Sequence, residues 1–285
     1  MNKGYHPLLE ILYFMAAISF SVLFLHPVCL FLSLFFGLWH MVLLGQAKKL
    51  SWILPLALFS ALLNPLINHE GATILAYFPN GNPLTAESVR YGFAAALMLT
   101  GVLCHSVCMS HVITSDKLMY VFGTLSPSLS LVFSMSLRFV PRFSAQLKKM
   151  QKAQKALGNT SGDKHLARIK SGLQLISGML TWSFENAADT ADSMHARGFG
   201  LPGRTAYTNY RWSRRDFAAL FVLFGLTVTI ILGGISGGYA VSYFPKMTQA
   251  RLSAGLFLAD LLFFALPVML EGWEERKWKK CKSNI

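Results

Sequence analysis

Residues able to grip a partner concentrate between positions 138 and 215 of this 285-residue chain. Arg197 stands in Met194-His195-Ala196-Arg197-Gly198, at the end of a long helical pattern. Gly198 is placed to take the left-handed conformation that follows a helix end, and Pro202 prevents continuation. Arg197 then falls in the last turn, where the helix dipole favours a cation. A guanidinium there is always charged and can clamp a carboxylate through two parallel hydrogen bonds. It can equally complement the dipole at the surface, or pair with Asp192 on its own helix. Glu185, Asp189 and Asp192, spaced 4 and 3, share one face of that helix. Lys148, Lys152 and Lys155 form a stripe on the helix before it. The acidic face is either solvated or paired with those lysines, and the lysines suit anionic lipid as well.

Other reactive side chains point less far. His105 and His111 lie on or near an apolar segment without an acidic companion close in sequence, which a proton or metal path would call for. Cys104 and Cys108 can share a helix face, but two thiols do not make a zinc site; with Cys29 and Cys281 they read as buried structural cysteines. No metal or cofactor is expected. Gly233, Gly234, Gly237 and Gly238 give two overlapping small-xxx-small pairs suited to close helix packing. There is no phosphate-cradling glycine loop followed by lysine, no HExxH, no nucleophile elbow and no pair of Asp-rich motifs for magnesium. An enzyme is the weaker reading.

The elements that must position these residues belong to a membrane. The chain is 53% hydrophobic and 14% charged, with apolar runs too long for a soluble domain to hide. Residues 8–25 and 28–44 read as a hairpin around His26-Pro27. The first of them is not expected to be a cleaved signal, because a second apolar run follows at once. Residues 51–67 and 89–110 supply a second pair of spans, and the loop between them (69–87) carries no Lys or Arg. Residues 217–236 and 255–270 supply a third. Residues 118–140 are apolar enough to raise the question of crossing. Were they to cross, the basic segment 142–215 would lie outside, against the tendency of Lys and Arg to remain cytoplasmic. They are therefore expected as an amphipathic or re-entrant helix at the inner interface. The fold predicted is all-α, a polytopic membrane protein of about six transmembrane helices. Helices one to four occupy 1–117, interfacial and cytoplasmic helices 118–215, and helices five and six with a basic tail 216–285, with both termini cytoplasmic. The net charge of +13 is then topological, and no nucleic-acid partner is expected.

Within the basic segment, Phe143, Leu147, Met150 and Leu157 predict one helical stripe after Pro141, stopped at Gly158-Asn159, with a turn over 160–163. Leu166, Ile169, Leu173, Ile176 and Leu180 predict a longer helix whose stripe suits a partner alongside, and the preceding helix is the obvious candidate.

Three stretches are recognisable together: Asn64-Pro65-Leu66-Ile67-Asn68-His69-Glu70-Gly71 with Asn80-Gly81-Asn82-Pro83-Leu84-Thr85; Ser136-Leu137-Arg138-Phe139-Val140-Pro141 leading to Ala153-Gln154-Lys155-Ala156-Leu157-Gly158; and residues 188–199 with Ala196-Arg197-Gly198. Over nearly its whole length the chain resembles the transmembrane T component of energy-coupling factor (ECF) transporters, the family that includes the cobalt-transporter membrane subunit. The resemblance implies a complex in a prokaryotic cell membrane. Two cytoplasmic ABC-type ATPases drive it, a small membrane S component captures a vitamin or transition-metal ion, and the T component joins them without catalysis of its own. It also implies two short arginine motifs at the tips of coupling helices, each docking into one ATPase. Ala196, Arg197 and Gly198 match the second. The first reads Ala156, Leu157 and Gly158, without its arginine, and leaves Lys155 as the nearby charge. Leu129, Leu131, Phe133, Leu137 and Phe139 are the expected surface against the S component. The rival reading is a membrane enzyme acting on lipid or isoprenoid phosphates through His195, Asp189 and Asp192. A secondary transporter is disfavoured by the scarcity of ionisable residues in the spans, Asp260 excepted.

Overall fold

The apolar runs become helices, and prolines set where several of them start. The structure, a computed structural model, describes residues 5–77, 81–157, 165–201, 210 and 212–283. Pro7 and Pro27 open α1 (Pro7–Leu23) and α2 (Pro27–Leu43), where the missing N–H would have been unpaired anyway and φ is preset. Helices α3 (Leu50–Ile67) and α4 (Ala86–Val112) follow, then α5 (Ser115–Leu125), α6 (Pro127–Ala156), α7 (His165–Ala196), α8 (Arg214–Ile235) and α9 (Ala254–Ser283). Among the described residues, three helical stretches, over Ala47–Ile67, Ala86–Val112 and Arg214–Ile235, are long and apolar enough to cross a membrane. Pro7–Leu23, Pro27–Leu43 and Ala254–Leu270 are shorter apolar helices. At 17 residues, α1 and α2 sit at the lower end of the roughly 17 to 25 that a hydrocarbon core requires.

The chain forms two compact units, one of Met1–Leu118 with Tyr210–Ile285 and the other of Met119–Asn209. In the first, α4 packs against α1, α2 and α3, while α9 packs against α2 and α8. Leu54, Leu58, Phe59 and Leu62 of α3 are exposed, the surface a helix presents to hydrocarbon.

Glycines bring these helices close. A Cβ on Gly92 of α4 would lie 2.7 Å from the Ala61 carbonyl oxygen of α3 and 3.1 Å from Pro65 Cδ. A Cβ on Gly101 would lie 3.2 Å from Ser33 Oγ, and one on Gly37 of α2 would lie 3.2 Å from Cys104 Cβ. Of the glycines singled out at and just past the end of α8, a Cβ on Gly233 or Gly238 would run into the Leu256 side chain of α9, and one on Gly234 would lie 2.7 Å from the ring of Phe24. Gly237 instead turns the chain, at φ +78°.

The buried polar groups tie helices together. Ser21 Oγ donates to the Ala17 carbonyl (2.8 Å) and lies 2.6 Å from Ser33 Oγ, which lies 3.2 Å from His105 Nε2. Each hydroxyl has one proton, so Ser33 donates to Ser21 and His105 carries its proton on Nε2. His105 is thus a link between α1, α2 and α4. Asp260 of α9, 2% exposed, accepts from Cys29 Sγ of α2 (3.1 Å) and from the Tyr239 hydroxyl beyond α8 (3.0 Å). Cys29, Cys104 and Cys108 are buried free thiols, and no group of three or more His, Cys, Asp or Glu that could hold a metal ion occurs among the described residues. His111 is exposed. The side chain of Cys281 lies outside the described residues.

The second unit departs from the sequence expectation. A single 30-residue helix, α6, starts at Pro127 and runs through Pro141 to Ala156, rather than restarting after that proline. Pro141 is exposed, so water can take up the carbonyl whose N–H partner the proline removes. Neither α5 nor α6 is among the described helices long and apolar enough to cross a membrane. The α7 stripe is also not where α6 lies. Ile169, Leu173, Ile176 and Leu180 are 54–61% exposed, whereas α6 meets the neighbouring face, with Phe143 edge-on to Trp182 (ring centroids 5.3 Å, 89°) and Met150 Sδ within 3.6 Å of a Cβ at Gly178. A glycine with an adjacent aromatic offers closer packing than a row of branched side chains. The side chain of Leu166 and the turn 160–163 lie outside the described residues.

Because an Ala61 carbonyl cannot move aside as a side chain can, Gly92→Val is expected to push α3 off α4. The cost should be about 1–3 kcal/mol, read as a lower unfolding temperature of the detergent-solubilised protein.

Candidate functional site

The tip of α7 is built by local backbone chemistry. Gly198 has φ +79°, a conformation that glycine adopts without a Cβ penalty. Its N–H donates to the His195 carbonyl (3.0 Å), and the Phe199 N–H donates to the Met194 carbonyl (3.0 Å). This pair of bonds is a Schellman cap, which satisfies carbonyls that a helix end leaves free. The Arg197 N–H is shared between the carbonyls of Ser193 (3.3 Å) and Met194 (3.2 Å). The backbone of Arg197 is thereby held at the end of a 32-residue helix, while its side chain is exposed and enters no ion pair among the described residues. Ala196 beside it is exposed too.

Glu185, Asp189 and Asp192 are all exposed, as are Lys148, Lys152 and Lys155. No ion pair joins the two sets among the described residues, so the cross-helix pairing open in the sequence is not formed. His195 is likewise exposed and has no hydrogen bond to Asp189 or Asp192 among the described residues. These three side chains assemble no enclosed reaction site.

The tip of α6 is of a different kind. The helix ends at Ala156, and the Leu157 N–H closes it on the Ala153 carbonyl at 3.0 Å. Leu157 is 84% exposed. It does not continue the inner stripe of Phe143 and Met150, because it lies past the last turn. Gly158 lies outside the described residues. Of the five residues expected to meet a membrane partner, Leu129, Phe133 and Leu137 are exposed. Leu131 and Phe139 are half-buried, with Phe139 against Phe143 (6.2 Å, 77°).

The Asn64–Gly71 and Asn82–Thr85 stretches, separated only by residues 72–81, close into one clasp. A short antiparallel pair, β1 (Ile74–Tyr77) and β2 (Pro83–Thr85), brings them together. Glu87 accepts from the Thr73 N–H (3.2 Å) and Thr73 Oγ1 (2.7 Å), Thr85 Oγ1 donates to the Glu70 carbonyl (2.7 Å), and Asn82 Nδ2 lies 3.0 Å from His69 Nε2. At Gly71 (φ +147°) a Cβ would fall 2.7 Å from Glu87 Oε2. Asn80 lies outside the described residues. The two short strands did not show in the sequence, being too brief for a period-two pattern.

The cobalt transport protein family (CbiQ) matches residues 5–207, from α1 through the capped tip of α7. The chain belongs to this family. It is similar to the energy-coupling factor transporter transmembrane protein EcfT 1 of Listeria monocytogenes serotype 1/2a, 30% identical over 207 residues, which are 67% of this chain and 74% of that protein. It is 28% identical to the EcfT of Bacillus subtilis (strain 168) over 201 residues, 66% of this chain and 74% of the relative. With EcfT of Listeria innocua serovar 6a it shares 41% over 98 residues, 33% of this chain and 37% of the relative. Together with the apolar helices, these relatives make the chain a transmembrane T component of an energy-coupling factor transporter.

The cap makes a local prediction. Gly198→Val places a branched side chain at positive φ, at a cost of about 1 kcal/mol or more. The expected result is faster amide exchange at positions 198 and 199 with the middle of α7 unchanged.

Proposed function

We propose that this T component carries energy from two cytoplasmic ABC-type ATPases to a small membrane S component that captures a vitamin or a transition-metal ion. The observation that carries the reading is Arg197, a permanently charged and exposed fork, without an ion pair among the described residues, held on a capped helix end within a chain of this family. Docking of Ala196, Arg197 and Gly198 into one ATPase would give α7 a fixed handle. Ala156, Leu157 and Gly158, with Lys155, would dock α6 into the other. Closure of the ATPases on ATP would then shift α6 and α7, and their apolar surfaces, including Leu129, Leu131, Phe133, Leu137 and Phe139, would tilt the S component. Such a link requires contacts that differ between the two states. The spans number six in this reading, and the basic segment faces the cytoplasm of a prokaryotic cell, so a reporter at position 160 should be cytoplasmic.

The two tips ask for unlike grooves. An exposed leucine is received by apolar contact and a guanidinium by a carboxylate, so the ATPase sites should be matched to this chain and different from each other. Arg197→Ala should insert in the membrane normally while ATPase docking weakens by about 2–5 kcal/mol, the usual cost of truncating one member of a buried charged pair. Co-purification of two ATPases and a small membrane protein with the wild-type chain, and their reduction in the variant, is the expected outcome. Undiminished co-purification would remove Arg197 from the docking site. A matched groove further predicts that Leu157→Arg brings no gain; a sharp increase in ATPase affinity without harm to transport would contradict it.

A further inference from the structure

The Met119–Asn209 unit is joined to the rest of the chain by two covalent connections, after Leu118 and before Tyr210, and both emerge from one cluster at the first turn of α1. On the outgoing side, Lys117 forms an ion pair with Glu10 of α1, their side chains 16% and 12% exposed respectively. On the returning side, the buried His6 ring stacks on Trp212 (3.8 Å, 16°), and Trp212 stacks on Phe217 of α8 (5.0 Å, 29°). The Arg215 guanidinium lies 5.4 Å from the centre of the Tyr5 ring. Ser213 and Asp216 close a capping box, with the Asp216 carboxylate accepting from the Ser213 N–H (2.9 Å) and hydroxyl (2.8 Å), and so fix where α8 begins. Tyr210, on the returning side, lies within electrostatic range of Asp116 and Glu10. Burial first, then the nearby charges of Asp116 and Glu10, push its phenol above its ordinary range.

An ion pair this sheltered is not the loose surface kind, and removing one member leaves the other charged with little water to receive it. Packing of α1 against α4 does not by itself call for this arrangement, because the Ser21–Ser33–His105 chain already links those helices through α2 further along. What the cluster does is hold residues next to both connections, Lys117 and Trp212, at one turn of one helix.

We propose that residues 5–10 are a root clamp, with Glu10 holding the outgoing connection and Tyr5 and His6 the returning one, so that displacement of α6 and α7 is delivered to α1 instead of being absorbed in slack connections. The clamp rests on the coupling reading above. Glu10, Lys117, His6 and Trp212 are positioning residues in it, acting through α1 and α8 and touching no ATPase.

The test is hydrogen exchange on the whole complex, purified through the tagged full-length chain, with and without a non-hydrolysable ATP analogue. In the wild type the analogue should alter exchange both in α6 and α7 and at residues 5–12. In Glu10→Gln and in Lys117→Met, the response of α6 and α7 should persist, while that of residues 5–12 should fall by at least about five-fold, the low end of typical couplings between sites. Glu10→Lys combined with Lys117→Glu should restore it. A merely structural pair would raise exchange at residues 5–12 equally with and without nucleotide. That result, or a wild-type nucleotide response confined to α6 and α7, would overturn the clamp alone. Should the single variants fail to assemble, the charge-swapped chain decides, since a wild-type response at residues 5–12 supports the clamp and its absence overturns it. A wild-type complex without ATPases, or one whose α6 and α7 ignore the analogue, would overturn the coupling reading and the clamp with it.

Discussion

Close backbone approach along α4 is the constraint on which the membrane unit depends. Lipid tails are as apolar as leucine, so burying leucine between helices gains little in a bilayer, and association rests on contact and on polar links. Gly92 lets the α3 backbone come within a bond's reach of van der Waals overlap, and Gly101 and Gly37 do the same for α2. With α4 so surrounded, half of its most apolar window is buried, against 6% for Ala47–Ile67. One helix is therefore the mast, and α3 shows most of its surface to lipid.

Given that packing, the few polar side chains inside can be afforded because each reaches across to another helix. The serines and His105 connect α1, α2 and α4; Asp260 gathers Cys29 and Tyr239. At the far end of α4, Glu87 holds the folded-back loop through Thr73. These are links between elements, and none presents the open, convergent geometry of a reaction centre. Reactive-looking residues in the spans thus explain the assembly of the bundle. By contrast, α6 and α7 of the second unit both carry exposed charges, Lys148 and Lys152 on α6 and Glu185, Asp189 and Asp192 on α7.

Those two helices answer different physical demands at their tips. Arg197 offers charge on a capped, hydrogen-bonded end, whereas Leu157 offers apolar surface past a helix end. The stripe from Ile169 to Leu180 adds an exposed apolar face of its own, because α6 prefers the Gly178–Trp182 side. A hairpin of this kind has surface left over for neighbours on more than one side, as befits a subunit of a larger assembly.

Much of this was legible in the chain itself. The apolar runs, the prolines at helix starts and the glycine past Arg197 are local facts, and local backbone rules turn them directly into helices, ends and tips. Recognition of the family came from motifs in order along the chain, and needed no contacts. Tertiary structure decided what periodicity is blind to. A 3.6-residue stripe says that Ile169, Leu173, Ile176 and Leu180 share a face, yet not whether a glycine and a tryptophan on the next face pack better. Proline at 141 reads as a break, although an exposed position lets the helix run on. The meeting of Glu10 with Lys117, of His6 with Trp212 and of Glu87 with Thr73 lay beyond the sequence, because such pairs depend on how helices are placed in space and on the water excluded between them.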